Sequence, residues 1–219
     1  MIRRPARSTQ GVSSAASDVY KRQGMYIGRI GNGSDPDDGI YVLVKEVIDN
    51  AVDEYIMGHG KKIEIEIETG AVNVRDYGRG IPLGKLVECV SVINTGAKYN
   101  DEVFQFSVGL NGVGIKAVNA LSKSFRVITY REGKYAEAIF QRGNQVGKTK
   151  KGKALGEPDG TLVQFTPDDE IFGDYSFEFD SRVNNVYKLN LFPAFAIRHP
   201  IAPLELSSPV FSPEQIHNQ

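Results

Sequence analysis

The sequence predicts an α+β fold rather than a doubly wound α/β fold. Several segments alternate apolar and polar residues and are joined by short turns, which is typical of antiparallel hairpins. Few segments show helical periodicity, whereas a doubly wound sheet would alternate strands with helices along the chain. The chain has 219 residues, enough for one large domain or two small ones.

The first predicted element is a helix between Asp37 and Met57. Its apolar stripe repeats every four residues and comprises Leu43, Val47, Ala51 and Tyr55. The Ser-Asp-Pro segment at 34–36 supplies start signals, and the glycines at 58 and 60 flank the expected end.

Strands are predicted in pairs. Lys61–Glu68 alternates strictly and is followed, after a short turn, by a second strand at Val72–Arg75, so the two form a hairpin. A second hairpin is expected from Phe125–Tyr130 and Tyr135–Gln141. A further strand is expected at Thr161–Thr166.

Two shorter helices are predicted next to glycine-rich loops. One is expected at Leu83–Ile93, after the loop Gly78–Gly84. The other is expected at Ile115–Leu121, after the loop Thr95–Gly114.

Both ends of the chain differ in composition from the rest. Residues 1–23 carry a net charge of +4, so the remainder sums to −5 against a total of −1. Such a basic, Ser- and Ala-rich stretch can be an organelle transit peptide. We favour a cloning or assembly scar, because Val12–Gln23 resembles translated adapter sequence, and we expect 1–23 to be a foreign-looking or disordered leader.

Proline marks the other end of the chain. Five of the ten prolines fall between Pro193 and Pro213, a density that disfavours helices and central strands. We therefore expect one domain over 24–190 and an irregular proline-rich tail over 191–219.

Composition limits the possible functions. Cys89 is the only cysteine, which excludes an internal disulfide framework and fits a reducing compartment. The small net charge provides no bulk positive field for nucleic acid. No apolar run approaches the roughly 20 residues that span a bilayer, so no membrane partner is expected.

The first helix carries residues suited to phosphate chemistry. Glu46, Asn50 and Asp53 are spaced so that they share one helical face beside the apolar stripe. A carboxylate there can take a proton from water, and an amide oxygen one turn away can ligate a hard cation such as Mg²⁺. The alternative is a solvated polar face of a surface helix.

Two glycine-rich loops favour nucleotide binding. Asp76 lies where a strand ends and the loop Gly78–Gly84 begins, and its carboxylate can accept a hydrogen bond from an exocyclic amine such as that of adenine. The run Gly109–Gly114 precedes a helix, and its backbone amides can hold phosphates. Each loop alone is weak evidence, because glycine clusters are usually turns.

One apparent phosphate motif does not meet the requirements of a P-loop. Gly143–Thr149 has three residues between its glycines where four are required, and no apolar helix follows. A basic surface loop is the better interpretation.

Taken together, the segments resemble the GHKL ATPase superfamily and, within it, the B subunits of type IIA DNA topoisomerases, gyrase B and topoisomerase IV B. The resemblance covers roughly residues 24–180. The matching stretches are Gly24–Gly28 (GMYIG), Glu46–Glu54 (EVIDNAVDE), Asp76–Pro82 (DYGRGIP), Ser107–Gly114 with Ala117–Ser122, and Asp159–Phe165.

This resemblance implies a two-layer α/β sandwich, in which a mixed, mostly antiparallel sheet carries helices on one face and ATP binds between the helices and a lid. It implies ATP and Mg²⁺ as cofactors. Glu46 would be the general base that activates the attacking water, and Asn50 would ligate the Mg²⁺ that bridges the phosphates.

Further binding roles follow from the same resemblance. Asp76 would bind the adenine amine with support from Thr161, and Gly80 would let the base approach the backbone. Phosphates would be held by Lys98 and by the lid amides of Leu110, Asn111, Gly112, Val113 and Gly114. The pocket rim would comprise Glu54, Arg79, Ile81, Pro82 and Arg131, with Arg131 paired to Glu54.

The resemblance also implies partners. These are the cleavage-reunion A subunit, DNA through the full assembly, a second copy on ATP binding in the full-length protein, and aminocoumarin-type inhibitors. The expected location is the bacterial cytoplasm, in association with the nucleoid.

Alternatives remain open at this point. The chain can be another GHKL ATPase, an ATP-binding fragment without turnover, or a misassembled fragment without function. We expect hydrolysis by this chain to be weak or absent, because no residue corresponds to the phosphate-sensing lysine of the family's transducer domain. Asn111, where many gyrases have His, points to topoisomerase IV or to a divergent gyrase and does not settle the choice.

Overall fold

The computed structural model of the protein describes residues 27–35, 37–68, 70–92, 113–177 and 195–198. Within these ranges the helices are α1 (Gly39–Ile56), α2 (Leu86–Ser91), α3 (Gly114–Ala120) and α4 (Asp169–Phe172). The strands are β1 (Ile63–Glu68), β2 (Ala71–Asp76), β3 (Ser122–Arg131), β4 (Lys134–Gln141), β5 (Asn144–Gln145), β6 (Lys150–Lys153), β7 (Gly160–Pro167) and β8 (Phe195–Arg198).

The described strands form one sheet in the order β5-β4-β3-β7-β2-β1-β8, and β6 also pairs with β4. The recorded pairs are antiparallel, except that β8 runs parallel to β1. The predicted mixed, mostly antiparallel sheet is thereby confirmed. Strand β7 inserts between β2 and β3, which brings the late segment at Thr161 beside the end of β2.

Helix α1 is the main helix of the core. Of its predicted stripe, Leu43, Val47 and Ala51 are buried and Tyr55 is only partly so. Ile40, Val44 and Ile48 are also buried, so the apolar face is wider than one residue per turn. The buried Asp38 carboxylate precedes the helix and accepts backbone hydrogen bonds from Gly33 (3.0 Å) and Asp35 (3.2 Å), which ties the preceding loop to the helix start.

The two faces of the sheet differ in chemistry. Alternate residues on one face are apolar and pack against the helices; examples are Ile65, Val74 and Phe125, each almost fully buried. On the other face, polar side chains are hydrogen-bonded across the strands. These hydrogen bonds form a continuous series across the sheet, from β1 to β4. The side chains in the series are, in order, Glu66, Asn73, Gln164, Arg126 and Glu137. One face therefore forms the core with the helices, and the other is polar, as in a two-layer sandwich.

The expectation of a basic surface loop is wrong in part. The segment Gly143–Thr149 contains β5, and β6 follows it; both strands pair with β4. Residues 195–198, within the tail predicted to be irregular, form β8. Among the described strands, β8 is four residues long, stands at the end of the strand order and pairs with β1.

Candidate functional site

A cavity opens between helix α1 and the sheet. Helix α1 lines it with Val47, Asn50, Ala51, Asp53 and Glu54, followed by Met57. The sheet lines it with Val74 and Asp76 of β2 and Thr161 and Val163 of β7. Gly80, Ile81, Cys89, Val90 and Ile115 complete the wall. The wall is mostly apolar with a few carboxylate and amide groups, which suits a flat heterocycle with polar edges.

Asp76 is the polar group at the sheet side of the cavity. It is 8% exposed, and its Oδ1 accepts backbone hydrogen bonds from Gly78 (2.9 Å) and Thr161 (3.1 Å). No described residue donates to Oδ2. The carboxylate is therefore held by one oxygen, and the second oxygen is available to a ligand in the cavity.

Burial raises the pKa of Asp76 to about 6, although the two backbone hydrogen bonds and the charge of Arg75 act in the opposite direction. Burial disfavours a carboxylate because it loses hydration that the protein replaces only in part. An acid in this environment is a poor contributor to stability and a strong acceptor for a donor that enters the cavity.

The loop after β2 is fixed by its packing on β3. Gly80 has φ +70°, and a methyl group on it would lie 2.3 Å from the carbonyl oxygen of Tyr130. Thr129 donates its hydroxyl to the carbonyl of Ile81 (2.9 Å). Gly80 was predicted to let a base approach the backbone. In the structure, the missing side chain of Gly80 leaves room for the backbone of strand β3.

Glu46 and Asn50 lie one turn apart on α1, as predicted. The Asn50 amide nitrogen donates to the carbonyl of Glu46 (2.5 Å), and its Oδ1 accepts no hydrogen bond from the described residues. This orientation leaves an oxygen, the atom that a hard cation requires, available at the cavity. Asn50 thus fits the role of a Mg²⁺ ligand.

The Glu46 carboxylate lies against the start of α3. A methyl group on Gly114 would lie 1.7 Å from Glu46 Oε2, so any side chain there would displace the Glu46 carboxylate. Burial raises the pKa of Glu46, with a contribution from the negative charge of Asp49. A raised pKa makes the carboxylate a better proton acceptor when it is ionised.

Glu54 is held by Arg79 at the cavity rim. Burial works against ionisation of Glu54, but hydrogen bonds from the Arg79 side chain (3.2 and 2.8 Å) and backbone (2.9 Å) lower its pKa. The predicted pair of Arg131 with Glu54 is wrong. Arg131 instead donates to the carbonyl of Gly80 (3.3 Å) and lies 3.3 Å from Glu132.

The structure brings together most predicted residues but not all. Several predicted residues do not line the cavity: Glu46, Arg79, Pro82, Val113, Gly114 and Arg131. The Val113 carbonyl accepts hydrogen bonds from the first turn of α3. Lys98, Leu110, Asn111 and Gly112 lie outside the described residues. Their predicted role with phosphates therefore remains a prediction.

Sequence reasoning missed the apolar wall of the cavity. Val74 and Val163 could have been found, because both fall on the same alternating face as Asp76 and Thr161. Cys89 and Val90 belong to α2, and their place beside the cavity depends on how that helix packs on α3.

The described residues include no helix with the length and apolar character to cross a bilayer.

Comparison with known proteins identifies relatives. The family described as histidine kinase-, DNA gyrase B-, and HSP90-like ATPase matches residues 35–171. The B subunit of DNA topoisomerase 4 from Borreliella burgdorferi is 59% identical over 167 residues, covering 76% of this chain and 28% of that protein. The B subunit of DNA gyrase from Synechocystis sp. is 40% identical, covering 78% and 17%.

A solved structure shares the fold. The 43K ATPase domain of Thermus thermophilus gyrase B, in complex with an aminocoumarin, superposes with a TM-score of 0.66 at 32% identity. The match covers 88% of this chain and 50% of that chain. The chain thus spans less than a third of the length of these two subunits and half of the solved domain.

Proposed function

Because the chain belongs to the family of histidine kinase-, DNA gyrase B- and HSP90-like ATPases, we propose that its cavity binds ATP and that Glu46 activates the water for hydrolysis. The observation that carries this proposal is the placement of Asp76. Its carboxylate is held by two backbone amides in a mostly apolar wall, and one oxygen remains available.

Adenine binds at the sheet side of the cavity. The exocyclic amine donates to Asp76 Oδ2, and the ring lies between apolar side chains such as Val74, Val163 and Ile81. The apolar walls exclude water from this hydrogen bond, which makes a mismatched group at the same position costly.

The phosphates extend toward the start of α3, where Glu46 and Asn50 lie. Asn50 would hold a Mg²⁺ ion through its amide oxygen, and that ion would neutralise phosphate charge. Glu46 orients a water molecule and takes its proton as the water attacks the terminal phosphorus. The bond from that phosphorus to the oxygen shared with the β-phosphate breaks, and ADP and inorganic phosphate leave. The contact with Gly114 limits where the Glu46 carboxylate can lie.

Binding and turnover of ATP by the full chain test the proposal. Wild type should bind a non-hydrolysable ATP analogue in calorimetry. Glu46→Gln should bind it within about threefold, while turnover falls by about two to four orders of magnitude, the usual contribution of a general base. Glu66→Gln is the control, because Glu66 lies on the opposite face of the sheet. No adenine nucleotide binding by wild type, or a measurable wild-type turnover that Glu46→Gln retains in full, contradicts the proposal.

We further propose that the domain serves a type II topoisomerase as part of its B subunit, in which ATP binding drives dimerisation and gates DNA passage together with an A subunit. The 59% identity to a topoisomerase 4 relative, against 40% to a gyrase relative, favours the former. A full-length protein carrying this domain should decatenate DNA with its A subunit without introducing negative supercoils. An aminocoumarin should compete with ATP for the cavity.

A further inference from the structure

Arg75 is a buried cation on the polar face of the sheet, opposite the cavity. It is 8% exposed and forms no salt bridge within the described part of the chain. Its guanidinium lies between two aromatic rings, 4.6 Å from the centroid of Tyr77 and 4.7 Å from that of Tyr130. Contacts of this kind favour a cation and offset part of the cost of burial.

The guanidinium also joins two backbone segments. Nη1 donates to the carbonyl of Asp76, and Nη2 donates to the carbonyl of Pro158 (2.7 Å). Asp76 ends β2, and Pro158 lies in the turn that leads into β7. Arg75 therefore connects the residue at the cavity to the segment that supplies the Thr161 amide.

The turn before β7 has little room to move without disturbing Asp76. Gly160 has φ +133°, and a methyl group on it would lie 2.2 Å from the Asp76 carbonyl oxygen and 2.5 Å from Arg75 Nη1. Thr161, the next residue, donates its backbone N–H to Asp76 Oδ1. The guanidinium thus fixes the backbone on both sides of the hydrogen bond that orients the carboxylate.

We propose that Arg75 is a positioning residue for purine selection, which holds the Asp76 carboxylate in the orientation that accepts an amine at C6 of the purine. This inference rests on the proposed ATP function. Without the guanidinium, the end of β2 and the turn before β7 can separate, and the carboxylate can rotate away from its two amides. A purine with an oxygen at C6 gains nothing from that carboxylate in either state. Loss of Arg75 therefore weakens binding of the amine-bearing purine more than binding of the oxygen-bearing purine. The discrimination between the two purines falls as a result.

Arg75→Met tests the inference, because methionine keeps the length and the contact with aromatic rings but removes the five donors and the charge. The measurements are Kd values of the full chain for ATP and for inosine triphosphate, which has oxygen at C6. Arg126→Met is the matched control: it removes an arginine from the same face, hydrogen-bonded to Glu137 and Gln164 of neighbouring strands, away from Asp76.

Wild type should prefer ATP over inosine triphosphate. In Arg75→Met that preference should fall at least tenfold through weaker ATP binding, and in Arg126→Met it should stay within about twofold. The pH midpoint of ATP binding should also rise in Arg75→Met, because the charge of Arg75 favours the ionised form of Asp76. A purely structural role would not move this midpoint.

A preference that is unchanged in Arg75→Met overturns the inference, as does an equal loss of affinity for both nucleotides. If Arg75→Met does not fold, Arg75→Lys decides. Lysine keeps a cation near the two rings, but its single ammonium cannot reproduce the planar fork that reaches both carbonyls, so the preference should again fall. A wild-type chain that binds neither nucleotide refutes the proposed function itself, which is a separate outcome.

Discussion

Asp76→Asn is the substitution that most directly examines adenine recognition, because it changes one atom and keeps the shape. Two backbone N–H groups, of Gly78 and Thr161, point at Oδ1. The amide must place its oxygen there to satisfy them. Its nitrogen then takes the position of Oδ2, where it meets the adenine amine donor to donor.

The expected loss of affinity follows from that geometry. A hydrogen bond to a charged group contributes about 1.5–3 kcal/mol, and leaving the facing donor unpaired adds a further penalty. A total of about 3 kcal/mol corresponds to a rise in Kd of roughly two orders of magnitude. Inosine triphosphate, which presents an oxygen at C6, should lose less affinity or gain some.

The stability of the fold should not fall in Asp76→Asn, although the affinity for ATP does. The folded-state pKa of Asp76 is raised from 3.8 to about 6, so its contribution to stability is fully present below pH 3.8 and is lost as pH rises through 6. At pH 7 the ionised group therefore destabilises the fold, by up to about 3 kcal/mol at about 1.4 kcal/mol for each pH unit. Asp76→Asn removes this cost and should unfold at the same or a higher temperature than wild type.

Calorimetry of nucleotide binding and thermal unfolding at pH 7 together measure both effects. Wild-type ATP affinity should also weaken as pH falls through 6, because a protonated carboxyl is a poorer acceptor, and this pH dependence should be absent in Asp76→Asn. Unchanged ATP affinity in Asp76→Asn would refute the reasoning. So would a loss of affinity that is accompanied by a matching loss of thermal stability.

Three glycine substitutions separate packing from catalysis. Gly80→Ala places a methyl group 2.3 Å from the Tyr130 carbonyl at positive φ and should reduce the free energy of unfolding by about 2–4 kcal/mol in a denaturant titration. Gly84→Ala, in the same loop with nothing within 4 Å, should change it by less than about 1 kcal/mol; equal effects would count against the packing argument. Gly114→Ala meets only the flexible end of Glu46, so the chain should fold while turnover falls about tenfold or more and ATP affinity changes little. Retained turnover in Gly114→Ala would show that the Glu46 carboxylate does not need this position.

The elements that sequence reasoning located are those with a strong local pattern. The stripe of α1 and the alternation of β1 each reflect burial of one face, and the structure places their bounds within two residues of the predicted ones. The short strands β5 and β6 carry no such pattern. They are exposed lysine-rich or two-residue segments that become strands only because the edge of β4 is available to pair with them.

The site was predictable where function depends on residue type and less so where it depends on packing. Glu46, Asn50 and Asp76 are polar residues in patterned elements, and spacing places the first two on one face. The partner of Glu54 was not predictable, because it depends on how the loop after β2 folds back over α1. There Gly78 leaves room for the Glu54 side chain, and this close approach brings Arg79 within reach.

Helix α1 shows why the core and the chemistry are difficult to separate in this protein. Val47 and Ala51 pack in the core and line the cavity, while Glu46 and Asn50 sit beside them on the same turns. A substitution that shifts the helix by a fraction of an ångström therefore changes the distance from Glu46 to a bound phosphate as well as the packing. Asp76 differs, since its backbone is held from the opposite face of the sheet by Arg75. Base recognition and water activation should therefore respond to different sets of substitutions, the first on the polar face of the sheet and the second along α1.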